Sequence, residues 1–106
     1  MNTQNIIVLV TTSSKKEAEN ISTELLKNKL IGCANIIGPI SSHFHWEGKI
    51  HYSEEFLMIL KSRSDLFEPL SEKVIKLHSY DVPEILALPL VLGSKSYLDW
   101  LNGTLV

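Results

Sequence analysis

The sequence has a single cysteine, no excess of basic residues and no long apolar run, and each of these excludes a class of protein. Cys33 has no second cysteine to pair with, so the chain cannot form an internal disulfide, and we expect a reduced, cytoplasmic protein. Lys plus Arg is 10 against 12 for Asp plus Glu, and this net charge of −2 lacks the basic footprint of nucleic-acid binding. No segment has the length and apolarity of a membrane span, and no secretory signal pattern opens the chain. We therefore expect neither a nucleic-acid partner nor a membrane partner.

Motifs for catalysis and for phosphate binding are also missing. The chain has neither the Cys-x-x-Cys nor the His-x-x-x-His spacing of common zinc sites. It has no glycine-rich phosphate loop and nothing that resembles a nucleophile elbow. We expect a protein that is not an enzyme and carries no organic cofactor.

What the chain does contain is a series of short apolar runs separated by amphipathic segments. The apolar runs predict strands, and they cover residues 6–10, 31–37, 56–60 and 85–92. Ser14 and Glu17 have capping-box spacing and predict a first helix that ends near 28–30, and Ser64 or Asp65 is expected to cap a second. The second helix should bury one face, made of Leu66, Leu70, Val74 and Leu77.

Three irregular features complete the predicted architecture. Residues 40–52 alternate and turn at Glu47-Gly48, which predicts a long hairpin with a bend at Gly38-Pro39. Pro89 demotes the last strand to an edge, and a short helix over 97–101 follows Gly93-Ser94. The order strand, helix, strand, strand, helix, strand predicts one α+β domain over 1–106, a ferredoxin-like split βαβ unit with an extra C-terminal helix.

The strands lack the alternation of a sheet with one wet face. All four are apolar on both faces, whereas the two main helices of this architecture cover only one face. Association between copies of the chain would cover the other face and shield the sheet edges, so we predict a homo-oligomer.

The candidate functional residues centre on His78-Ser-Tyr-Asp-Val-Pro-Glu84, a rigid polar connection between a helix and a strand. His78 is a candidate metal ligand or acid–base group, and the alternative is a histidine that suits a helix C-terminus. Cys33 is a second candidate ligand, and the alternative is a small core residue. His43 and His45 share a face of the hairpin and are a competing metal site. Trp46 at the hairpin tip is expected to pack on another subunit, whereas Glu47, Glu54 and Glu55 are expected to be solvated.

Several motifs together resemble the CutA divalent-ion tolerance proteins over nearly the whole chain. They are Cys33-Ala-Asn-Ile-Ile, Trp46-Glu-Gly-Lys49-Ile, Leu60-Lys61-Ser-Arg63, the His78 to Ile85 stretch, Ala87-Leu-Pro and Tyr97-Leu-Asp-Trp-Leu101. The resemblance implies a ferredoxin-like subunit, a homotrimer, a cytoplasmic setting and a role in tolerance to divalent metals, with copper the usual ion. The resemblance implies a copper site that some members form with a cysteine on the first strand and a histidine pair. The matching positions here are Val10, Leu77 and His78, so only His78 keeps a ligand type.

Two functions follow from these observations. The first is a metal-binding tolerance protein in which His78, Cys33 or a nearby carboxylate holds a divalent ion, with copper expected first. The second is a trimeric signalling module of the PII type, whose cleft would bind an anion through Lys49, Lys61 or Arg63. In either case we expect a polar cluster of His78, Tyr80, Asp81 and Glu84, with Cys33, Lys49 and Lys61 close by.

Overall fold

A four-stranded antiparallel sheet is the centre of the fold. The computed structural model describes residues 4–106, so the first three residues of the predicted domain lie outside the described part. The strands pair in the order β2-β3-β1-β4, and they are β1 (Asn5–Thr12), β2 (Cys33–Trp46), β3 (Lys49–Arg63) and β4 (Ile85–Pro89). The helices are α1 (Lys15–Lys27), α2 (Phe67–Leu77) and α3 (Lys95–Thr104), with a 3-10 turn at Ser64–Leu66. This confirms the predicted order of elements.

The first helix begins and ends where its local signals predict. The Ser14 side chain accepts a hydrogen bond from the Glu17 backbone N–H at 3.1 Å, and Asn28 caps the other end. The Glu17 carboxylate reaches back one residue further than a capping box requires, and accepts from the Ser13 N–H at 3.3 Å.

The start of α2 differs from the prediction that Ser64 or Asp65 caps it. The cap position is Leu66, and no side chain caps the helix. The Asp65 carboxylate instead accepts from Arg63 Nε at 2.7 Å, and a 3-10 turn precedes the helix. Leu66, Leu70 and Val74 are buried as predicted. Leu77 is partly exposed, and it is the last residue of the helix.

The long hairpin of β2 and β3 is confirmed in detail. Trp46 pairs with Lys49, and the two residues between them, Glu47 and Gly48, have φ values of 51° and 76°. Two successive positive φ angles are the signature of a two-residue hairpin turn. The pairing register shifts between Ile37 and Ile40, where the Gly38-Pro39 bend was predicted. A side chain at Gly38 would collide with the ring of Phe56.

The last two elements differ in length from their predictions. β4 is an edge strand as predicted, but it ends at Pro89 rather than at residue 92, because its partner β1 begins at Asn5, whose carbonyl accepts the last hydrogen bond from the Leu90 N–H at 3.0 Å. α3 is longer than the predicted 97–101 segment, and Ser94 caps it by accepting from the Tyr97 N–H at 3.4 Å. None of the helices among residues 4–106 is long and apolar enough to cross a membrane.

The sheet has one covered face and one open apolar face. On the covered face, side chains of β1 and β3 pack against α1 and α2 and form the main core, which includes Val8, Val10, Met58, Leu60, Ile21, Leu25, Leu70 and Val74. On the open face, Ile37, Leu86 and Leu88 are 48%, 55% and 48% exposed. The prediction that the strands are apolar on both faces is therefore confirmed, and neither of the two main helices lies on the open face.

Candidate functional site

His78 lies at the C-terminal end of α2 with its side chain fully buried. Its ring Nε2 donates to the Thr11 carbonyl at 2.7 Å, and its Nδ1 accepts from the Tyr80 backbone N–H at 3.0 Å. This pair of partners fixes a neutral ring with its proton on Nε2. Both nitrogens are engaged by the backbone, so this geometry does not fit His78 as a metal ligand.

Glu17 joins the start of α1 to the residue after His78. Its Oε2 accepts from the Ser79 backbone N–H at 2.7 Å and lies 3.8 Å from His78 Nδ1. Burial acts to raise the pKa of Glu17, but the hydrogen bonds from Ser79 and from the Ser13 N–H lower that pKa below its ordinary value. The carboxylate therefore ties the connection after α2 to the first helix in its ionised form.

Tyr80 extends from the same connection to a buried carboxylate on β3. Its hydroxyl donates to Glu55 Oε2 at 2.7 Å, and its ring packs against His78 with 4.7 Å between ring centroids. Burial, followed by the hydrogen bond and the charge of Glu55, raises the pKa of Tyr80 well above its ordinary value, so the phenol remains a donor. Glu55 is only 6% exposed, so the expectation that it is solvated is wrong.

These groups form one end of an open cleft at the base of the hairpin. The cleft has a volume of about 660 Å³ and reaches from the end of β1 along the hairpin. Its lining contains no lysine or arginine, and it combines carboxylates, imidazoles and aromatic rings, namely Glu55, Asp81, Glu84, His43, His51, Phe44, Trp46 and Tyr80. The structure therefore brings three predicted residues together, Tyr80, Asp81 and Glu84, in a cleft of negative charge.

Cys33 and Lys61 lie elsewhere on the sheet. They face each other across β2 and β3, with Lys61 Nζ 3.8 Å from Cys33 Sγ and hydrogen-bonded to Asn35 Oδ1. Lys61 pairs with Ile7, four residues along β1 from the Thr11 that holds His78, a separation of about 13 Å. Strand register thus places these two residues at another level of the sheet from His78 and outside the cleft lining.

The other two predicted basic groups are also outside the cleft lining. Lys49 pairs with Trp46 at the hairpin tip, six residues from Glu55 and so about 20 Å along the strand. Arg63 donates to Asp65 and to the Val106 carbonyl. Lys49 therefore lies far along the hairpin from the Glu55 end of the cleft, and the three basic residues do not assemble an anion site.

Glu55 and His51 are the cleft residues that sequence reasoning missed. The signal was present in the strand alternation, because Ser53 and Glu55 share a face of β3 with Leu57 and Ile59. Because Glu55 points to the same face of β3 as these apolar residues, it was a better candidate for a functional site than for a solvated surface residue.

No group of three or more His, Cys, Asp or Glu side chains is arranged to hold a metal ion among residues 4–106. The ligand set implied by the resemblance does not form either, since Val10 is a fully buried core residue and Leu77 is aliphatic. Donors for a cation are nevertheless concentrated in the cleft.

Comparison with known proteins gives consistent results. The family model described as CutA1 divalent ion tolerance protein matches residues 6–104. The Divalent-cation tolerance protein CutA of Archaeoglobus fulgidus is 45% identical over 97 residues, which cover 92% of this chain and 94% of that protein. Protein CutA, chloroplastic, of Arabidopsis thaliana is 41% identical over 99 residues, and this chain spans only 54% of its length.

Solved structures resemble the whole chain. The divalent cation tolerance protein of Thermus thermophilus superposes with a TM-score of 0.94 at 36% identity, covering 96% of this chain and 99% of that one. The CutA1 structure of Oryza sativa gives a TM-score of 0.94 at 38% identity, covering 97% and 94%. The strand order, the long hairpin and these matches together show that this chain belongs to the CutA1 divalent ion tolerance family.

Proposed function

We propose that this protein acts in tolerance to divalent cations as a ferredoxin-like homotrimer that binds a divalent cation weakly in the cleft at the base of its hairpin. The observation that carries the proposal is the cleft itself, in which Glu55, Asp81 and Glu84 lie with no lysine or arginine in the lining. We further propose that the protein is cytoplasmic and has no catalytic activity.

The chemistry of the lining suits divalent ions of the first transition row. Carboxylate oxygens and imidazole nitrogens are ligands of Cu(II) and Zn(II), and His51 lines the cleft beside the acidic residues. The ring of His43 packs against Tyr52 on the other face of the hairpin. With such donors, affinity generally follows the Irving–Williams order, so we expect Cu(II) to bind more tightly than Zn(II).

Binding is expected to be weak because the donors are not arranged as a ready coordination shell. No three of them form a preformed cluster in the described residues, so binding requires side-chain movement or ligands from water or a second subunit. We expect dissociation constants in the micromolar range or weaker.

The competing function, an anion-binding signalling module, has less support. Lys61 and Arg63 are engaged by Asn35 and Asp65, and Lys49 lies at the hairpin tip. An acidic cleft repels anions, and membership of the CutA1 family favours the first function.

Isothermal titration with Cu(II) tests the proposed site. We expect the double change Asp81→Asn, Glu84→Gln to abolish measurable binding, and His51→Ala to weaken it. His45→Ala is the matched control, because this hairpin histidine lies outside the cleft lining. In cells that lack the gene, the double variant should fail to restore growth at raised copper, whereas His45→Ala should restore it.

Two results would contradict the proposal. Loss of binding in His43→Ala and in His45→Ala, with His51→Ala unchanged, would move the metal to the exposed hairpin pair. Unchanged binding in every cleft variant would show that copper binds adventitiously.

A further inference from the structure

We propose that His78 is a pH-dependent switch in the connection after α2. On protonation, its Nδ1 exchanges the Tyr80 backbone N–H for the Glu17 carboxylate, and the backbone that carries Tyr80 moves. This inference concerns a conformational change and does not depend on whether the cleft binds a metal.

The first step is the bonding of the neutral ring. Nε2 of His78 donates to the Thr11 carbonyl, and Nδ1 accepts from the Tyr80 backbone N–H at 3.0 Å. A proton added at Nδ1 turns this acceptor into a donor, because imidazolium donates from both nitrogens. Two N–H donors would then face each other at hydrogen-bond distance. The Tyr80 N–H has to leave, because the bond from Nε2 to Thr11 still holds the ring in place.

The second step is a new acceptor within reach of the charged ring. Glu17 Oε2 lies 3.8 Å from His78 Nδ1, about 1 Å beyond the length of a charge-assisted hydrogen bond. This oxygen already accepts from the Ser79 backbone N–H at 2.7 Å, and a carboxylate oxygen accepts a second donor at its other lone pair. A shift of about 1 Å therefore pairs the imidazolium with a carboxylate while Ser79 keeps its bond.

The third step is the order in which the two groups titrate. The pKa of Glu17 is lowered below its ordinary value of 4.5, so this carboxylate is ionised throughout the range near about pH 6.5 in which imidazoles ordinarily titrate. The acceptor is thus charged before the ring is protonated. The side chains of His78 and Glu17 are 0% and 15% exposed, so solvent screens their attraction weakly, and this attraction offsets the cost of charging a buried ring.

The other surroundings of the ring also suit a cation. β1 presents the uncharged Thr11 carbonyl, and the C-terminal end of α2 favours positive charge. From β3, the Glu55 carboxylate approaches through the Tyr80 hydroxyl, which donates to it at 2.7 Å, and the Tyr80 ring lies 4.7 Å from the imidazole. Lys76, the basic residue in the last turn of α2, is exposed, so solvent screens its charge.

The movement is expected to stay local to the connection. Tyr80 loses the acceptor of its backbone N–H, and its hydroxyl is attached to Glu55, so a shift of its backbone also disturbs that contact. Val8 lies in the main core on β1, where the surrounding packing does not involve the His78 ring.

Nuclear magnetic resonance of the isotope-labelled full chain between about pH 8 and about pH 5, without added metal, tests the inference. We expect the His78 ring to change from the Nε2–H tautomer to imidazolium. In the same pH step, the protection of the Tyr80 amide against hydrogen exchange should fall at least about tenfold. Protection of the Val8 amide should not change, which separates a local movement from unfolding.

Three variants assign the change to the proposed partners. Glu17→Gln keeps an acceptor for Ser79 but removes the charge, and we expect it to lower the midpoint of His78 protonation by about one pH unit, a loss of about tenfold in proton affinity. His78→Gln keeps one donor and one acceptor but does not titrate, so Tyr80 protection should no longer depend on pH. Glu19→Gln, an exposed position on α1, is the matched control and should leave the midpoint unchanged.

Four results would overturn the inference. They are a ring that stays neutral down to about pH 5, an imidazolium that leaves Tyr80 protection unchanged, an unchanged midpoint in Glu17→Gln, and a loss of protection at Val8 together with Tyr80. If His78→Gln does not fold, the comparison of Glu17→Gln with Glu19→Gln decides the question.

Discussion

Both ring nitrogens of His78 are used inside the protein. The Thr11 carbonyl and the Tyr80 N–H belong to two different segments, so the ring links the end of β1 to the connection after α2. His78 therefore fixes the backbone that carries Tyr80 and Asp81. It influences the cleft by placing these two residues and does not line the cleft itself.

We expect His78→Ala to lower the free energy of unfolding by about 2 to 4 kcal/mol, because it leaves two buried backbone groups unpaired and creates a cavity. Denaturation in urea measures this loss, and His45→Ala, on an exposed position, should change stability by less than about 0.5 kcal/mol. Copper titration of the folded variant should remain close to that of the parent protein. Normal stability combined with loss of copper binding would identify His78 as a ligand after all.

Sequence reasoning at the residue scale identified the right segment but not every role in it. Tyr80, Asp81 and Glu84 were predictable because a Pro-containing polar connection is confined to one end of the sheet. The role of His78 was not predictable, because its partners are backbone groups, one of them 67 residues away. The distance of Cys33 and Lys61 from His78 was not predictable either, because it depends on the register of β1, which local patterns do not specify.

At the scale of elements, Glu17 is the main link between α1 and the connection after α2. Its carboxylate serves two segments, accepting from Ser13 beside its own helix and from Ser79 across the molecule. Because its pKa is lowered in the folded protein, the ionised form contributes to stability.

The lowered pKa of Glu17 predicts a specific dependence of stability on pH. The contribution is fully present above the ordinary value of 4.5 and is lost as the pH falls through the lower folded value. We therefore expect Glu17→Gln to destabilise the protein at pH 7 and to make a much smaller difference near about pH 3. Urea denaturation of both proteins at the two pH values measures this change. Glu19→Gln, an exposed position on the same helix, is the control, and an equal effect of Glu17→Gln at both pH values would contradict the prediction.

Element boundaries were predictable where a single local interaction decides them. Ser14 caps α1 and Glu47-Gly48 closes the hairpin, and both signals lie within a few residues of the boundary that they set. The start of α2 was not predictable, because Arg63 competes for the Asp65 carboxylate that would otherwise cap the helix. The early end of β4 was not predictable, because it is set by the start of its partner β1 at Asn5, a residue distant in the sequence.

At the scale of the whole molecule, the open face of the sheet is the feature that one chain does not explain. Ile37, Leu86 and Leu88 are about half exposed on this face, and the hairpin adds Phe44 at 41% and Trp46 at 45%. Soluble monomers rarely expose contiguous apolar surface on this scale, so such a face indicates association. Sequence reasoning reached the same conclusion, because strands buried on both faces lack polar alternation.

We expect light scattering at micromolar concentration to give three times the 12.0 kDa mass of the chain. Association adds binding energy to folding energy by mass action, so the trimer should unfold at a higher temperature than a domain of 106 residues on its own. Leu88→Glu places a charge on the open face and should both lower the melting temperature and shift the mass toward the monomer.

Removal of about ten residues across the Trp46 tip should also lower the melting temperature strongly if the hairpin lies against a neighbouring subunit. The control is Glu72→Gln on α2, outside the open sheet face, which should change neither quantity. A monomer mass for the parent protein, or a truncated hairpin with unchanged melting temperature, would show that the apolar face has a role other than self-association.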